Sequence, residues 1–279
     1  MRSRFFVDAY PDAMRPLDEF PAATRARIIG VLADIDDTIT SDGRLTAEAY
    51  GALERLHHAG LRVIPVTGRP AGWCDHIARM WPVDAVVGEN GAFWMRYDAG
   101  ARKLRTVYAG PDMADRQARL DAIATEILAA VPGCALASDQ FCRIADLAID
   151  FREDVPPLPR AAVDEIVRRM QAHGMQAKVS SIHVNGWFGE HDKLTTTRRM
   201  LAAEFGIDLD AADERERWVF AGDSPNDAPM FACFSNAVGV ANVRDFADRI
   251  ATLPAWITEA RAGAGFAELA AALLAGRRA

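Results

Sequence analysis

The sequence predicts an α/β protein, a parallel-sheet core interrupted by an inserted α+β domain. Two observations predict it. Short, continuously apolar runs alternate with helix-type segments over most of the chain, joined by short links, which is the pattern of a buried parallel sheet flanked by helices. Between residues 93 and 187 the order changes to hairpin, helix, strand, helix, strands, which suits a separate antiparallel sheet with its own helices. The expected bounds are an extension over 1–27, a core over 28–92 and 188–279, and an insert over 93–187.

Each element has its own signal. Within the extension, PLDEFPAATRARI has short helical character but no evident role. IIGVLA at 28–33 is too short for a helix and apolar throughout, so it is the first core strand. A helix follows over 46–60, with Thr46 as N-cap and Gly60 as its stop. LRVIPVTG is the second strand, and the helix over 69–80 has Pro70 placed for its first turn. VDAVVGENG is the third strand. In the insert, residues 92–110 read as a hairpin turning at Asp98, Ala99 and Gly100, 111–131 as a long helix, and 141–151 as a strand. A helix over 157–174 and one or two strands in MQAKVSSIHVNGWF complete it. The core resumes with a helix from Lys193, the strand RWVFAG, a helix from Pro225, the strand NAVGVA, a helix over 243–250 and a last helix over 265–276.

Composition narrows the function classes. A chain of 279 residues, 50% apolar, can bury a substantial core. Its net charge of −7 is spread without a basic stripe, which argues against nucleic acid and membrane surfaces. Cys74, Cys134, Cys142 and Cys233 are scattered, with no metal-type or disulfide spacing, as expected of a cytoplasmic protein. No run approaches the roughly 18 apolar residues of a membrane span.

In an open parallel sheet, ligands bind beyond the carboxyl ends of the strands. The first strand delivers Asp34, Asp36, Asp37 and Thr38 there, and the second delivers Thr67, Gly68 and Arg69. The third delivers Glu89, Asn90 and Gly91, and RWVFAG delivers Asp223, Ser224, Asn226 and Asp227. Lys193 stands at the start of the helix after the insert. Asp34, Asp36, Asp223 and Asp227 cannot share a site as bare anions without strong repulsion, and a hard divalent cation such as Mg²⁺ removes the conflict. Carboxylates, one lysine, one threonine and a glycine turn together make a phosphoryl-transfer site. Lys193 and the cation neutralise phosphate, while the Thr67 hydroxyl and the Gly68 amide donate to it. Ser224 and Pro225 start a helix whose positive end adds to the same field.

DIDDT, TGR, the isolated Lys193 and GDSPND match in order the four motifs of the haloacid dehalogenase-like phosphatases. The insert lies between the second and third motifs, and the third strand ends in GENGA. The chain thus resembles, over roughly 28–270, the subgroup with a large α/β cap on a Rossmann-like core, and within it the sucrose-phosphate and mannosyl-3-phosphoglycerate phosphatases. Each motif alone is weak, and the ordered set is strong. Family members often have Gly where this chain has Asp37.

The resemblance implies roles. Asp34 is the nucleophile that forms an aspartyl phosphate. Asp36 protonates the leaving oxygen and later activates water, and its carbonyl ligates Mg²⁺. Asp34 and Asp223 are metal ligands, with Asp227 and Asn226 direct or through water. Thr67, Gly68, Lys193 and Asn226 bind the phosphoryl group. An acid at position 36 resembles phosphatases and phosphomutases. The expected substrate is a small phosphorylated metabolite, a sugar phosphate above all.

Plainer readings stand beside these. Asp and Thr after a strand often only start turns. Arg69 is either a surface arginine or a substrate contact, and Asn90 with Gly91 makes a natural tight turn. His183 either faces the site from a cap strand or lies on the cap's outer face, the latter being preferred. Arg143 is similar. Trp187 is a core or hinge anchor rather than a substrate platform, and His57 and His58 face solvent. The rival enzyme is a phosphomutase of the phosphomannomutase type. The rival of another class is a phospho-aspartate receiver without turnover.

Overall fold

The computed structural model describes residues 14–110, 116–275 and 277. The chain divides into two compact units, 1–63 with 208–279, and 64–207. The expected insert, 93–187, lies within the second. No helix among the described residues is long and apolar enough to cross a membrane.

The first unit is built on a parallel sheet in the order Arg15–Pro16, Trp256–Ile257, Val238–Gly239, Trp218–Gly222, Gly30–Ala33, Arg62–Pro65. The last strand crosses the boundary between units, and its first residue joins the sheet through Arg62 N–H to the Ile29 carbonyl at 2.9 Å. The register decides the site. Ala221 lies beside both Ala33 and Val238, and Gly222 beside Gly239, so three neighbouring strands end level. Buried Val31, Leu32, Val219, Phe220 and Val238 explain why the runs are apolar without alternation: both faces of these strands are covered. The helix Ala47–His58 begins at Thr46, whose hydroxyl accepts from Ala49 N–H at 3.2 Å as expected, and His57 and His58 are exposed at its end.

Part of the expected extension belongs to this sheet. Arg15–Pro16 pairs with Trp256–Ile257, Phe20 stacks on Trp256 at 4.9 Å, and Leu17 is buried. A 3₁₀ turn at Leu17–Glu19 and the helix Ala22–Arg27 match the short helical character of the segment. Residues 1–13 lie outside the described residues. The expected helix over 243–250 is a 3₁₀ segment, Ala241–Arg249.

The second unit holds two antiparallel sheets. Val86–Gly88, Phe93–Asp98 and Lys103–Tyr108 form one, and Ala135–Leu136, Asp146–Asp150, His183–Trp187 and Gln176–Val179 the other. The expected hairpin forms, but it pairs with Val86–Gly88, the strand expected third in the core sheet, and not with the insert's four-stranded sheet. The cause is local: Glu89, Asn90 and Gly91 all have positive φ (42°, 53° and 103°), which folds Phe93 back onto Gly88.

The helices Arg116–Ala130 and Arg160–Ala172 cover one face of the four-stranded sheet, packing Ile123, Ile127 and Ile166 against Leu147, Ile149 and Val184. The first of these was expected from residue 111, and 111–115 lie outside the described residues. Asp146, Ala148, Asp150, His183, Asn185 and Trp187 therefore share the opposite face. The strand expected at 141–151 begins only at Asp146. Before it, the Gln140 side chain takes the ladder's place, donating to the Asp146 carbonyl and accepting from Ala148 N–H, both at 2.9 Å.

Candidate active site

In the first unit, the level strand ends bring together what the sequence separates by almost 190 positions. Asp34 follows Ala33, and its N–H donates to the Ala221 carbonyl at 2.9 Å. Asp223 follows Gly222 on the adjacent strand. The next turn, Pro225–Asp227, returns Asp227 so that its carboxylate accepts from Asp223 N–H at 3.1 Å and Ser224 N–H at 3.3 Å. Gly222 is required here, since a Cβ would stand 2.5 Å from an Asp227 oxygen. Carboxylate oxygens of Asp34, Asp223 and Asp227, all buried, lie within 4.8 Å of one another.

That span suits one small divalent cation, whose oxygen ligands at 2.0–2.6 Å stand roughly 3–5 Å apart. Around the trio, Thr38 Oγ1 donates to Asp223 Oδ1 at 3.3 Å, and Asn242 Nδ2 donates to Asp223 Oδ2 at 3.1 Å. Asn226 is half-buried and accepts from the Ser224 hydroxyl at 2.8 Å. Asp36 is half-buried in the turn after Asp34 and is not one of the trio. Asp37 has φ +57°, a conformation Gly adopts freely and Asp tolerates better than most residues. The departure from Gly at this position therefore leaves the turn intact.

The second unit carries the other predicted residues. Thr67 is fully buried: its N–H donates to Val87 O at 2.9 Å and its hydroxyl accepts from Arg69 N–H at 3.0 Å, which sets the turn at Gly68. Lys193 opens the helix Lys193–Phe205, capped by Asp192, which accepts from Thr195 N–H at 2.7 Å. Gly91 meets the start of this helix so closely that a Cβ would lie 2.1 Å from the Asp192 carbonyl oxygen. Asn90 is buried, and a Cβ on Gly68 would lie 3.1 Å from its Nδ2, which has no hydrogen-bond partner among the described residues.

Three predicted contacts are engaged inside this unit. Arg69 is buried, not a surface residue. It pairs with Glu153 at 2.6 Å and Asp139 at 3.3 Å, and stacks on Trp73. Arg143 is buried as well. It pairs with Asp139 at 3.1 Å and Asp146 at 3.0 Å, and donates to the Gly68 carbonyl at 2.8 Å, fastening the Thr67–Gly68 turn to the segment before Asp146. Burial opposes its charge, but Asp146, Asp139 and Glu89 outweigh that and raise its pKa.

His183 does not lie on an outer face. It is buried, with Nε2 2.9 Å from Glu153. Burial pushes the Glu153 carboxyl up, yet His183 and Arg69 together hold it down at about 2. Trp187 is a core residue as expected, donating to His191 O at 3.0 Å.

Glu89 is the residue whose role the sequence did not show. It is fully buried and accepts backbone N–H groups from Ala71, Ile144, Ala145 and Asp146 at 2.6 to 3.2 Å. Burial, and then the charge of Asp146, raise its pKa to about 8. Asn242 is the other omission. It stands directly after the predicted strand NAVGVA, so the strand-end rule that selected Asp34 and Asp223 selects it too.

Among known proteins, the family described as haloacid dehalogenase-like hydrolase matches residues 31–107. No curated protein matches the chain. Solved structures share its fold at low identity. The C-terminal domain of trehalose-6-phosphate phosphatase from C. albicans is 14% identical, with a TM-score of 0.69 over 95% of this chain and 99% of that one. A protein of Thermoplasma acidophilum is 16% identical, with a TM-score of 0.65 over 88% and 99%. The sucrose-phosphatase of Synechocystis, solved with sucrose and phosphate, is 16% identical, with a TM-score of 0.57 over 88% and 98%. The resemblance to the haloacid dehalogenase-like hydrolases is borne out: the family matches residues 31–107 in sequence, and the trehalose-6-phosphate phosphatase and sucrose-phosphatase structures share the fold over most of this chain's length.

Proposed function

We propose that the chain is a Mg²⁺-dependent phosphatase that hydrolyses a small phosphorylated metabolite, a sugar phosphate above all, through an aspartyl phosphate on Asp34. The observation that carries this reading is the convergence of Asp34, Asp223 and Asp227 at level ends of adjacent parallel strands. Asp34, Asp223, Asp227 and the Asp36 carbonyl would hold the cation, which when bound offsets phosphate charge. Asp34 attacks phosphorus, and the P–O bond to the leaving group breaks as the P–O bond to Asp34 forms. Asp36 gives its proton to the leaving oxygen and then takes one from the water that hydrolyses the acyl phosphate. Thr67, Gly68, Lys193 and Asn226 bind phosphoryl oxygens, and residues 93–187 act as the cap that selects the substrate. The trehalose- and sucrose-phosphatase neighbours support a sugar phosphate. Four free thiols suit a reducing cytoplasm.

Phosphate release from a panel of phosphorylated sugars and other metabolites, with and without Mg²⁺, tests the reading in the wild type and in Asp34→Asn. Cation-dependent turnover of one or a few sugar phosphates, absent in Asp34→Asn, is expected. A folded wild type with no turnover on the panel sinks the proposal. Turnover that requires a sugar bisphosphate and returns phosphate to sugar makes the protein a mutase instead.

A further inference from the structure

We infer that Asn242 is a positioning residue of the cation site, a side chain that, together with Thr38, locks Asp223 to the turn after Asp34. The inference rests on the proposed cation site and adds to it a residue that touches neither cation nor substrate. Its basis is the sheet register. Gly239 lies beside Gly222, and Ala221 beside Ala33, so the chain leaving Val238–Gly239 arrives at the edge where Asp34 and Asp223 stand. Three residues past Gly239, Asn242 is buried in that edge.

Its amide is fully committed. Nδ2 donates to the Asp37 carbonyl at 2.7 Å and to Asp223 Oδ2 at 3.1 Å, while Oδ1 accepts from Ala262 N–H at 2.9 Å. The orientation is fixed by chemistry, since a flipped amide would set an oxygen against two acceptors and an NH₂ against a donor. The bond from Ala262 comes from the first residue of the C-terminal helix Ala262–Ala275, and Ala262 itself has φ +50°. One side chain therefore ties together three segments far apart in the sequence.

Asp223 is gripped from both oxygens, by Asn242 on Oδ2 and by Thr38 on Oδ1. Both donors are neutral. They fix the plane of the carboxylate without cancelling its charge, which is what a metal ligand needs from its surroundings. An arginine at position 242 would hold Asp223 as firmly and compete with the cation.

Mg²⁺ binding by calorimetry, on wild type, Asn242→Ala and Asp223→Asn, tests the inference, together with the Mg²⁺ concentration that half-saturates turnover. Wild type is expected to bind, Asp223→Asn to lose binding, and Asn242→Ala to bind about 10–100-fold more weakly, the usual effect of removing a group that orients a ligand. Excess Mg²⁺ is expected to restore most of the turnover of Asn242→Ala, with the substrate KM little changed. A purely structural role would not produce that pattern.

Wild-type affinity in folded Asn242→Ala overturns the inference. If Asn242→Ala does not fold, Asn242→Ser gives the same comparison, because its hydroxyl is too short to reach both acceptors. A folded wild type that binds no divalent cation overturns the cation site itself, and this inference with it. A wild type that binds while Asn242→Ala binds equally well overturns this inference alone.

Discussion

The protein contains two groups of acids taken out of water, one in each unit, and they are arranged differently. In the second unit, Glu89, Asp139, Asp146 and half-buried Glu153 are met by Arg69, Arg143, His183 and a set of backbone N–H groups. In the first unit, carboxylate oxygens of Asp34, Asp223 and Asp227 converge within 4.8 Å, and a threonine hydroxyl, an asparagine amide and two backbone N–H groups orient Asp223 and Asp227. Buried charge is tolerated only when it is paired or binds a metal. The difference teaches that a count of buried acids does not locate a site. What locates it is how the acids stand to one another. In the second unit the acids face arginines, a histidine or backbone N–H groups, while in the first unit three carboxylates face one another at level strand ends.

Several substitutions break or sharpen this contrast. The largest effect is expected for Asp34→Asn, which removes turnover to below detection by phosphate release while leaving the thermal midpoint near that of wild type. Arg143→Met comes next. It leaves Asp146 without its arginine and Asp139 with Arg69 alone, and should cost about 3–5 kcal/mol by urea denaturation, the usual effect of breaking a buried ion pair from one side. If Arg143→Met is neutral, the second group is not internally compensated and the contrast fails.

The first group is expected to respond to ligand. Mg²⁺ at a hundred times its Kd should stabilise wild type by about 2.7 kcal/mol and leave Asp223→Asn unmoved, read from melting curves.

Two smaller effects depend on pH. Glu89 titrates at about 8 in the folded protein and at about 4 when unfolded. The folded state therefore binds this proton more tightly, and stability falls as pH rises from about 4 to about 8. Glu89→Gln should abolish that decline. It should also cost about 1–3 kcal/mol at the acid end, because one amide oxygen cannot answer four N–H donors. Glu153 has the opposite sign. Its folded value of about 2 lies below the unfolded one, so its contribution is complete above about 4 and is lost as pH falls toward 2. Glu153→Gln should flatten that acid limb by about 1 kcal/mol, a figure reduced for partial exposure. Denaturation midpoints across pH check both.

The candidate site's edge was legible in the sequence because that edge follows from order and alternation. Asp34 and Asp223 were selected as residues ending apolar strands, and the register makes those ends level. Glu89 was noticed at a strand end, but nothing in GENGA shows that its carboxylate serves N–H groups from 144–146. The arginines were harder still. Arg69 finds its acids 70 and 84 positions away, at Asp139 and Glu153, and no local pattern marks either pairing. His183 was placed on the wrong side because alternation gives two faces without saying which is covered. The covering helices settle that. Strands of two residues, such as Trp256–Ile257, are too short for any periodicity to show.

Arg15–Pro16 is a minor strand by length, yet it determines what the edge of the main sheet offers to other molecules. Arg15 donates its N–H to the Ala255 carbonyl and lays its guanidinium over Trp256. Pro16, next to it and exposed, has no N–H to offer a further strand. A flat, unprotected edge is a template for self-association. A version shortened to begin at residue 28 would uncover the Trp256–Ile257 edge. It should form soluble aggregates at concentrations where the full chain stays dispersed, which light scattering would detect. These two residues bear on colloidal behaviour rather than on catalysis.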